Sequence, residues 1–161
     1  TYTINLDQLF EKFENSLSRF DSELGMSNSR ARLRMTTLYQ VAASNKGIVV
    51  GTGNKVEDFG VGFYTKYGDG GVDISPIADC NKTEVWEIGR ELNILKEIID
   101  AAPTDGLWDD GRTDEGQLGL KYEELEEAMN NPNSPNREKY EKIRKVNLHK
   151  MKPIPVCKIP N

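Results

Sequence analysis

Apolar residues recur at helical spacing from the start of the chain: Leu6, Leu9, Phe10, Phe13, Leu17, Phe20 and Leu24 fall on one face. Asn5 with Gln8 three residues on predicts a capping box at the helix start. This aromatic face is expected to pack into a core. A second helix is predicted from Ser27 or Asn28 to about Asn45, with Ala31, Met35, Leu38 and Ala42 as its inner stripe and Gly47 as its stop. The period then changes. Ile48, Val49 and Val50 form a β-branched run entering a Gly-x-Gly turn, which reads as a buried parallel strand feeding a loop and a short helix near Val56. Ligands in such sheets bind just past strand ends.

Residues 60–71 hold five glycines among aromatic and charged side chains, a composition that predicts an ordered loop rather than a helix. Asn81 with Glu84 makes a second capping box, and Val85, Ile88 and Leu92 continue an amphipathic helix, followed by a shorter one through Ile98 and Ile99. Pro103 ends helical structure. Residues 103–118 carry three glycines and five acids without periodicity, the pattern of a functional or mobile loop, and a lid is one reading. A helix over residues 122–129 and another capped by Ser134, with Pro135 at its first position, complete the elements. The end, KPIPVCKIP, is expected to be extended. One domain over residues 1–161 is predicted, an α/β layer structure with few strands and many helices.

Composition narrows the function classes. The chain has 161 residues, 37% of them hydrophobic, a globular composition. No apolar run approaches the ~20 residues that span a bilayer, which makes a soluble cytoplasmic protein the expectation. Cys80 and Cys157 are unpatterned and His149 is the single histidine, so neither disulfides nor structural zinc are expected. The net charge of −5 is uneven: residues 105–127 carry nine acids and two bases, residues 137–158 eight bases and two acids. The basic stretch lacks aromatic interleaving or a nucleic-acid motif, and solvated helix faces or a phosphate-bearing small ligand explain it better than RNA or DNA.

No Walker-type loop, no G-x-G-x-x-G fingerprint and no G-x-S-x-G elbow occurs. What remains is looser. Thr52 and Glu57 flank the turn after the strand, where a carboxylate can hold Mg²⁺ and backbone amides can face a phosphate; a solvated helix-start glutamate is the commoner reading of that spacing. Lys66, Asp69 and Asp73 sit in the glycine-rich loop, as ligand groups or as the charges of a simple turn. Arg30 and Arg34 share a helix face, and Arg32 points elsewhere. Lys82 lies in the first turn of its helix, an unfavourable place for a cation unless a phosphate is near.

Taken together, NSRARLRM at 28–35, GTGNKVED at 51–58, FYTKYGDGGVDISPI at 63–77, NKTEV at 81–85, PTDGLWDDGRTDE at 103–115 and HK at 149–150 resemble ammonia-dependent NAD synthetases. The resemblance implies a Rossmann-like, adenine nucleotide alpha hydrolase-like fold, here a partial parallel sheet flanked by helices, in a homodimer. It implies ATP-dependent amidation of deamido-NAD with ammonia through an adenylated intermediate, Mg²⁺ assisting. By that resemblance Arg32, Lys66, Asp73, His149 and Lys150 bind deamido-NAD, Thr52, Lys82 and Thr104 contact ATP, Glu57 is a Mg²⁺ ligand, and Lys82 stabilises the transferring phosphate.

The sequence departs from the family in three ways. GTGNKVED replaces the commoner GTDHAAE, one extra residue separates Glu57 from Lys66, and the family's S-G-G-x-D-S pyrophosphate loop is missing. The chain is therefore expected to be the C-terminal portion of such an enzyme, with two alternatives beside full activity: a noncatalytic dimerisation or nucleotide-binding fragment, and a related adenylating ligase acting on another carboxylate.

Overall fold

The first predicted helix forms but is shorter than the periodicity implies. The computed structural model, which describes residues 1–108 and 110–159, has α1 at Asp7–Ser16. Asn5 does not box with Gln8; its Oδ1 accepts from the Asp7 amide at 2.8 Å, a turn one step ahead of the helix. With Leu17 as its cap, α1 ends before Phe20 and Leu24, and none of its residues is buried. The expected apolar face is thus covered only in part, with Leu6, Phe10, Phe13 and Leu17 half-buried. Phe20 is 72% exposed, and Phe10 instead stacks on Phe13 at 6.3 Å and takes the Arg30 guanidinium 4.6 Å from its ring.

Helix α2 runs Glu23–Ser44 and starts earlier than the stripe predicted, because Ser22 Oγ accepts from the Gly25 amide at 3.2 Å and caps it. Its buried contact is narrow, Ser27 and Ala31, while Leu38 lies open. The Gly47 amide closes the helix on Ala42 O at 2.8 Å, where a stop was expected.

The predicted parallel pairing is reduced, among the described residues, to a single parallel bridge between Val50 and Ile74. Gly51 N donates to Ile74 O at 2.7 Å and Asp73 N to Val49 O at 2.9 Å. Only Val49 of the run is buried; Ile48 and Val50 are open, so the segment is not covered on both faces.

The described residues fall into two compact units, each discontinuous in sequence. The first is Thr1–Gly53, Tyr64–Pro76 and Ala102–Gln117; the second is Asn54–Phe63, Ile77–Ala101 and Leu118–Asn161. Within the second, a π-helical turn at Val56–Val61 precedes α3 at Lys82–Glu91 and α4 at Lys96–Ile99. Asp114–Leu118 forms a short α5, so the loop after Pro103 ends sooner than predicted. Helices α6 (Tyr122–Asn130) and α7 (Arg137–Met151) follow. The second unit holds a packed core of Val56, Val61, Leu118, Leu120, Tyr122, Leu125, Ala128 and Tyr140, with Trp86, Phe63, Met129 and Ile143 against it. Each fully buried aliphatic or aromatic side chain there stabilises by roughly 1.5–3 kcal/mol relative to exposure.

At the start of α3 the Asn81 amide donates to Glu84 Oε2 at 2.6 Å, the expected box contact. Helix α7 begins later than predicted: Ser134 Oγ accepts from the Asn136 amide at 3.2 Å, closing the turn before the helix rather than capping it. Residues 153–159 have no regular structure and leave Ile154, Val156 and Ile159 exposed, as the prolines imply. Among the described residues no helix is long and apolar enough to cross a membrane.

Candidate functional site

In the second unit the π-helical turn places Glu57 at the centre of a charged cluster. Asn54, almost fully buried, accepts from the amides of Val56 at 3.0 Å and Glu57 at 3.1 Å and so satisfies donors that a helix start leaves open. Glu57 Oε1 then receives the Tyr122 hydroxyl at 2.5 Å and Lys82 Nζ at 3.3 Å. Its Oε2 takes only a long 3.4 Å contact from the Asn54 amide. Lys82 Nζ also lies 4.9 Å from the centre of the Tyr122 ring, and Trp86 meets that ring edge-on at 5.9 Å. The side chains of Lys82 and Glu57 are 20% and 15% exposed, enough burial to weaken solvent screening of the pair. The cation that the sequence places awkwardly in the first turn of α3 therefore has a carboxylate partner.

The other end of the π-helical turn is closed by α7. Arg144 donates to the carbonyls of Phe59 and Gly60, Tyr140 to Gly60 O at 3.3 Å, Asn147 to Val61 O at 3.0 Å and Lys150 to Gly62 O at 2.9 Å. These are carbonyls with no partner inside the helix. Lys150 thus sits on backbone, and His149 is exposed with Nδ1 3.1 Å from Val146 O.

In the first unit the glycine-rich loop is stitched to α2. Thr65 Oγ1 meets Asn28 Oδ1 at 2.6 Å, Thr65 N donates to Asp69 Oδ1 at 2.9 Å, and Arg32 Nε donates to Lys66 O at 3.3 Å. Gly68 is required by approach: a Cβ there would lie 2.9 Å from that of Ala31. Asp73 closes the loop onto the bridge, its Oδ2 accepting from Val49 N at 2.7 Å and its Oδ1 from Tyr39 OH at 3.3 Å. Desolvation first, and the Asp73 carboxylate second, push the Tyr39 phenol above its ordinary range. Thr52 stands exposed just past Gly51. In the loop after Pro103, Thr104 Oγ1 donates to Arg112 O at 3.2 Å and accepts from Gly106 N at 3.3 Å. A cleft of about 360 Å³, with Ser27, Arg30, Trp108 and Arg112 in its wall, opens beside this loop; no sequence pattern signalled it.

The NAD synthase model matches residues 1–159. The chain belongs to the NAD synthase family. It is 44% identical over 130 residues to the NH(3)-dependent NAD(+) synthetase of Carboxydothermus hydrogenoformans, an alignment covering 78% of this chain and 53% of that one. It is 50% identical over 103 residues to the protein of the same description from Alkaliphilus oremlandii, covering 64% of this chain and 40% of that one. The chain spans about half the length of these curated relatives. Among solved structures, an NMN synthetase from Francisella tularensis superposes with a TM-score of 0.87 at 35% identity, covering 99% of this chain and 66% of that one. The NH3-dependent NAD synthetase of Campylobacter jejuni shares the fold, with a TM-score of 0.72 at 23% identity over 96% of this chain and 64% of its own.

Within this chain the residues singled out from sequence divide by unit. Glu57 and Lys82 are brought into contact, and Lys150 reaches Gly62, all in the second unit. Arg32 and Lys66 meet in the first, which also carries Thr52, Asp73 and Thr104. Tyr122 was missed, although a signal existed. Tyr122, Leu125 and Ala128 recur at helical spacing, and a phenol on a buried stripe calls for a hydrogen-bond partner.

Proposed function

We propose that the protein amidates deamido-NAD with ammonia at the expense of ATP, forming NAD in the cytoplasm through an adenylated carboxylate, as a homodimer. The same reading carries the Rossmann-like, adenine nucleotide alpha hydrolase-like fold, with the Val50–Ile74 bridge as part of its parallel sheet. The observation that carries the proposal is the Lys82–Glu57–Tyr122 cluster at the start of α3, in a chain that matches NAD synthase throughout residues 1–159.

In the first half-reaction the nicotinate carboxylate attacks the α-phosphorus of ATP and pyrophosphate leaves. In the second, ammonia attacks the acyl carbon, AMP leaves, and the nitrogen sheds a proton. Lys82, poised between Glu57 and the Tyr122 ring, is the cation that exchanges its carboxylate for phosphate oxygens as charge builds on them. Thr52 and Thr104 contact ATP; Arg32, Lys66, Asp73, His149 and Lys150 hold deamido-NAD. Mg²⁺ fits on modest terms. No group of three or more His, Cys, Asp or Glu among the described residues could enclose a metal, but Mg²⁺ is commonly held by one or two carboxylates plus substrate phosphates and water. Glu57 would supply one ligand through Oε2, the oxygen with only the long contact. Bound there, Mg²⁺ would neutralise phosphate charge. The glycine-rich loop after Pro103 closes over the intermediate and keeps water from hydrolysing it.

The test supplies ATP, Mg²⁺, ammonia and deamido-NAD. NAD formation by this chain would refute the inert-fragment alternative, and deamido-NAD binding without turnover would support that alternative for the chain taken alone. In the full-length protein Asp73→Ala is expected to raise the KM for deamido-NAD more than that for ATP, and equal effects would count against the assignment. If deamido-NAD fails to bind while another carboxylic acid supports pyrophosphate release, the related-ligase alternative replaces this one.

A second reading has its own support in the NMN synthetase that covers 99% of the chain. In it the amidated carboxylate belongs to a mononucleotide. A competition between the mono- and dinucleotide acids separates the two, and a higher kcat/KM for the mononucleotide acid would displace deamido-NAD as the substrate.

A further inference from the structure

Three arginines alternate along α2, and the structure gives them two jobs. Arg32 Nε donates to the glycine-rich loop at Lys66 O. Arg30 and Arg34, one helical turn apart on the other face, both reach the loop after Pro103: Arg30 Nη1 donates to Leu107 O at 2.8 Å and Arg34 Nη2 to Gly106 O at 2.9 Å. We propose that Arg30 and Arg34 are positioning residues that latch this loop onto α2 and thereby fix Thr104.

Five features support the latch. Both of these bonds end on backbone carbonyls, so they follow the loop's main-chain conformation. Gly106 has a φ of +60°, and an added Cβ would meet nothing within 4 Å, so its glycine serves backbone shape and not space. Leu107 is buried beside its latched carbonyl, and its amide donates to Asp105 Oδ1 at 2.9 Å, while Asp105 Oδ2 accepts from Gln117 Nε2 at 3.1 Å. Thr104 is one hydrogen bond from the latched residue, through the Gly106 amide. Arg30 is itself held by the Phe10 ring at 4.6 Å, which limits its rotamers before the loop arrives. Hydrogen bonds from guanidinium to carbonyl are charge-assisted, yet modest when part-exposed, which suits a loop that must both close and open.

That the latched loop acts as a lid rests on the proposed amidation; that it is latched does not. Hydrogen exchange on the chain itself tests the latch. Arg34→Gln should speed exchange of the Gly106 and Leu107 amides severalfold, and Arg30→Gln with Arg34→Gln by about tenfold or more, with α6 amides unchanged. Arg34→Lys should restore part of the protection. Because Arg34 bonds at an exposed site, its single variant keeps the test valid should the double variant fold poorly. Wild-type loop exchange in Arg34→Gln, or an equal rise in α6, would overturn the latch. In the full-length protein the same variant should raise ATP consumed per amide formed. A faster loop with an unchanged ratio would leave the latch standing and remove the lid from the proposed function.

Discussion

The two units hold themselves together by different means. The second buries Val56, Val61, Leu118, Leu120, Tyr122, Leu125, Ala128 and Tyr140 in one cluster. Among the described residues the first buries fewer apolar side chains, Ala31, Val49 and Leu107, and relies on polar links: Asp73 to Val49, Thr65 to Asn28, and the three α2 arginines to loop carbonyls. The difference teaches where rigidity is built in. Glu57 is fixed by a packed scaffold with both ends of its turn satisfied, whereas Lys66, Asp73 and Thr104 stand on loops tied by bonds that exchange with water. Loops that admit ligands are drawn from the less stable end of a structure.

The strongest way to break this comparison is Leu125→Ala, at a fully buried core position. Truncation there should cost about 2–5 kcal/mol, seen as a lower urea midpoint; a loss under about 1 kcal/mol would mean the second unit is not the packed one. Tyr122→Phe keeps the ring but leaves Glu57 Oε1 to Lys82 alone, and should cost about 1–3 kcal/mol in the same melt. In the first unit, Asp73→Ala removes the acceptor of the Val49 amide and should cost about 1–2 kcal/mol. Should Asp73→Ala exceed Leu125→Ala, the contrast between packed and stitched units would be inverted.

Legibility in the sequence follows the same divide. Helical periodicity located α2 and α3, the Ser134–Pro135 pair pointed to α7, and the Asn81–Glu84 signal marked a true helix start, because these depend on residues a few positions apart. Periodicity also named the aromatic face of α1, but a period says which side is apolar and not what covers it; there the partner is the Arg30 guanidinium. The start of α2 was hidden because Gly25 argues against helix while Ser22, just outside the stripe, supplies the cap. Site chemistry was legible by residue type and not by partner. Lys82 was read as a cation awaiting phosphate, and nothing local announces that Glu57 and Tyr122 come from elsewhere in the chain to meet it. The latch hid in plain view: positions 30 and 34 share a face, but a backbone carbonyl has no sequence signature.

The smallest expected effect sharpens the comparison through two tyrosines. Tyr140 in the second unit is nearly fully buried, and that burial pushes its phenol above the ordinary range, against the opposing pull of Arg144. A phenol whose folded pKa lies above the unfolded value, about 10, gives stability that is complete below that pH and is lost as pH rises through the folded pKa. Tyr140→Phe should therefore flatten the alkaline limb of a stability–pH curve, at a neutral-pH cost of about 0.5–1.5 kcal/mol for the lost bond to Gly60 O. Tyr39 in the first unit is raised too, by desolvation and then by Asp73, so its effect has the same sign. Tyr39 is only half-buried, so water can stabilise its phenolate, and Tyr39→Phe should flatten the limb less. A larger effect from Tyr39 would show that the stitched unit desolvates its site more than the packed one does.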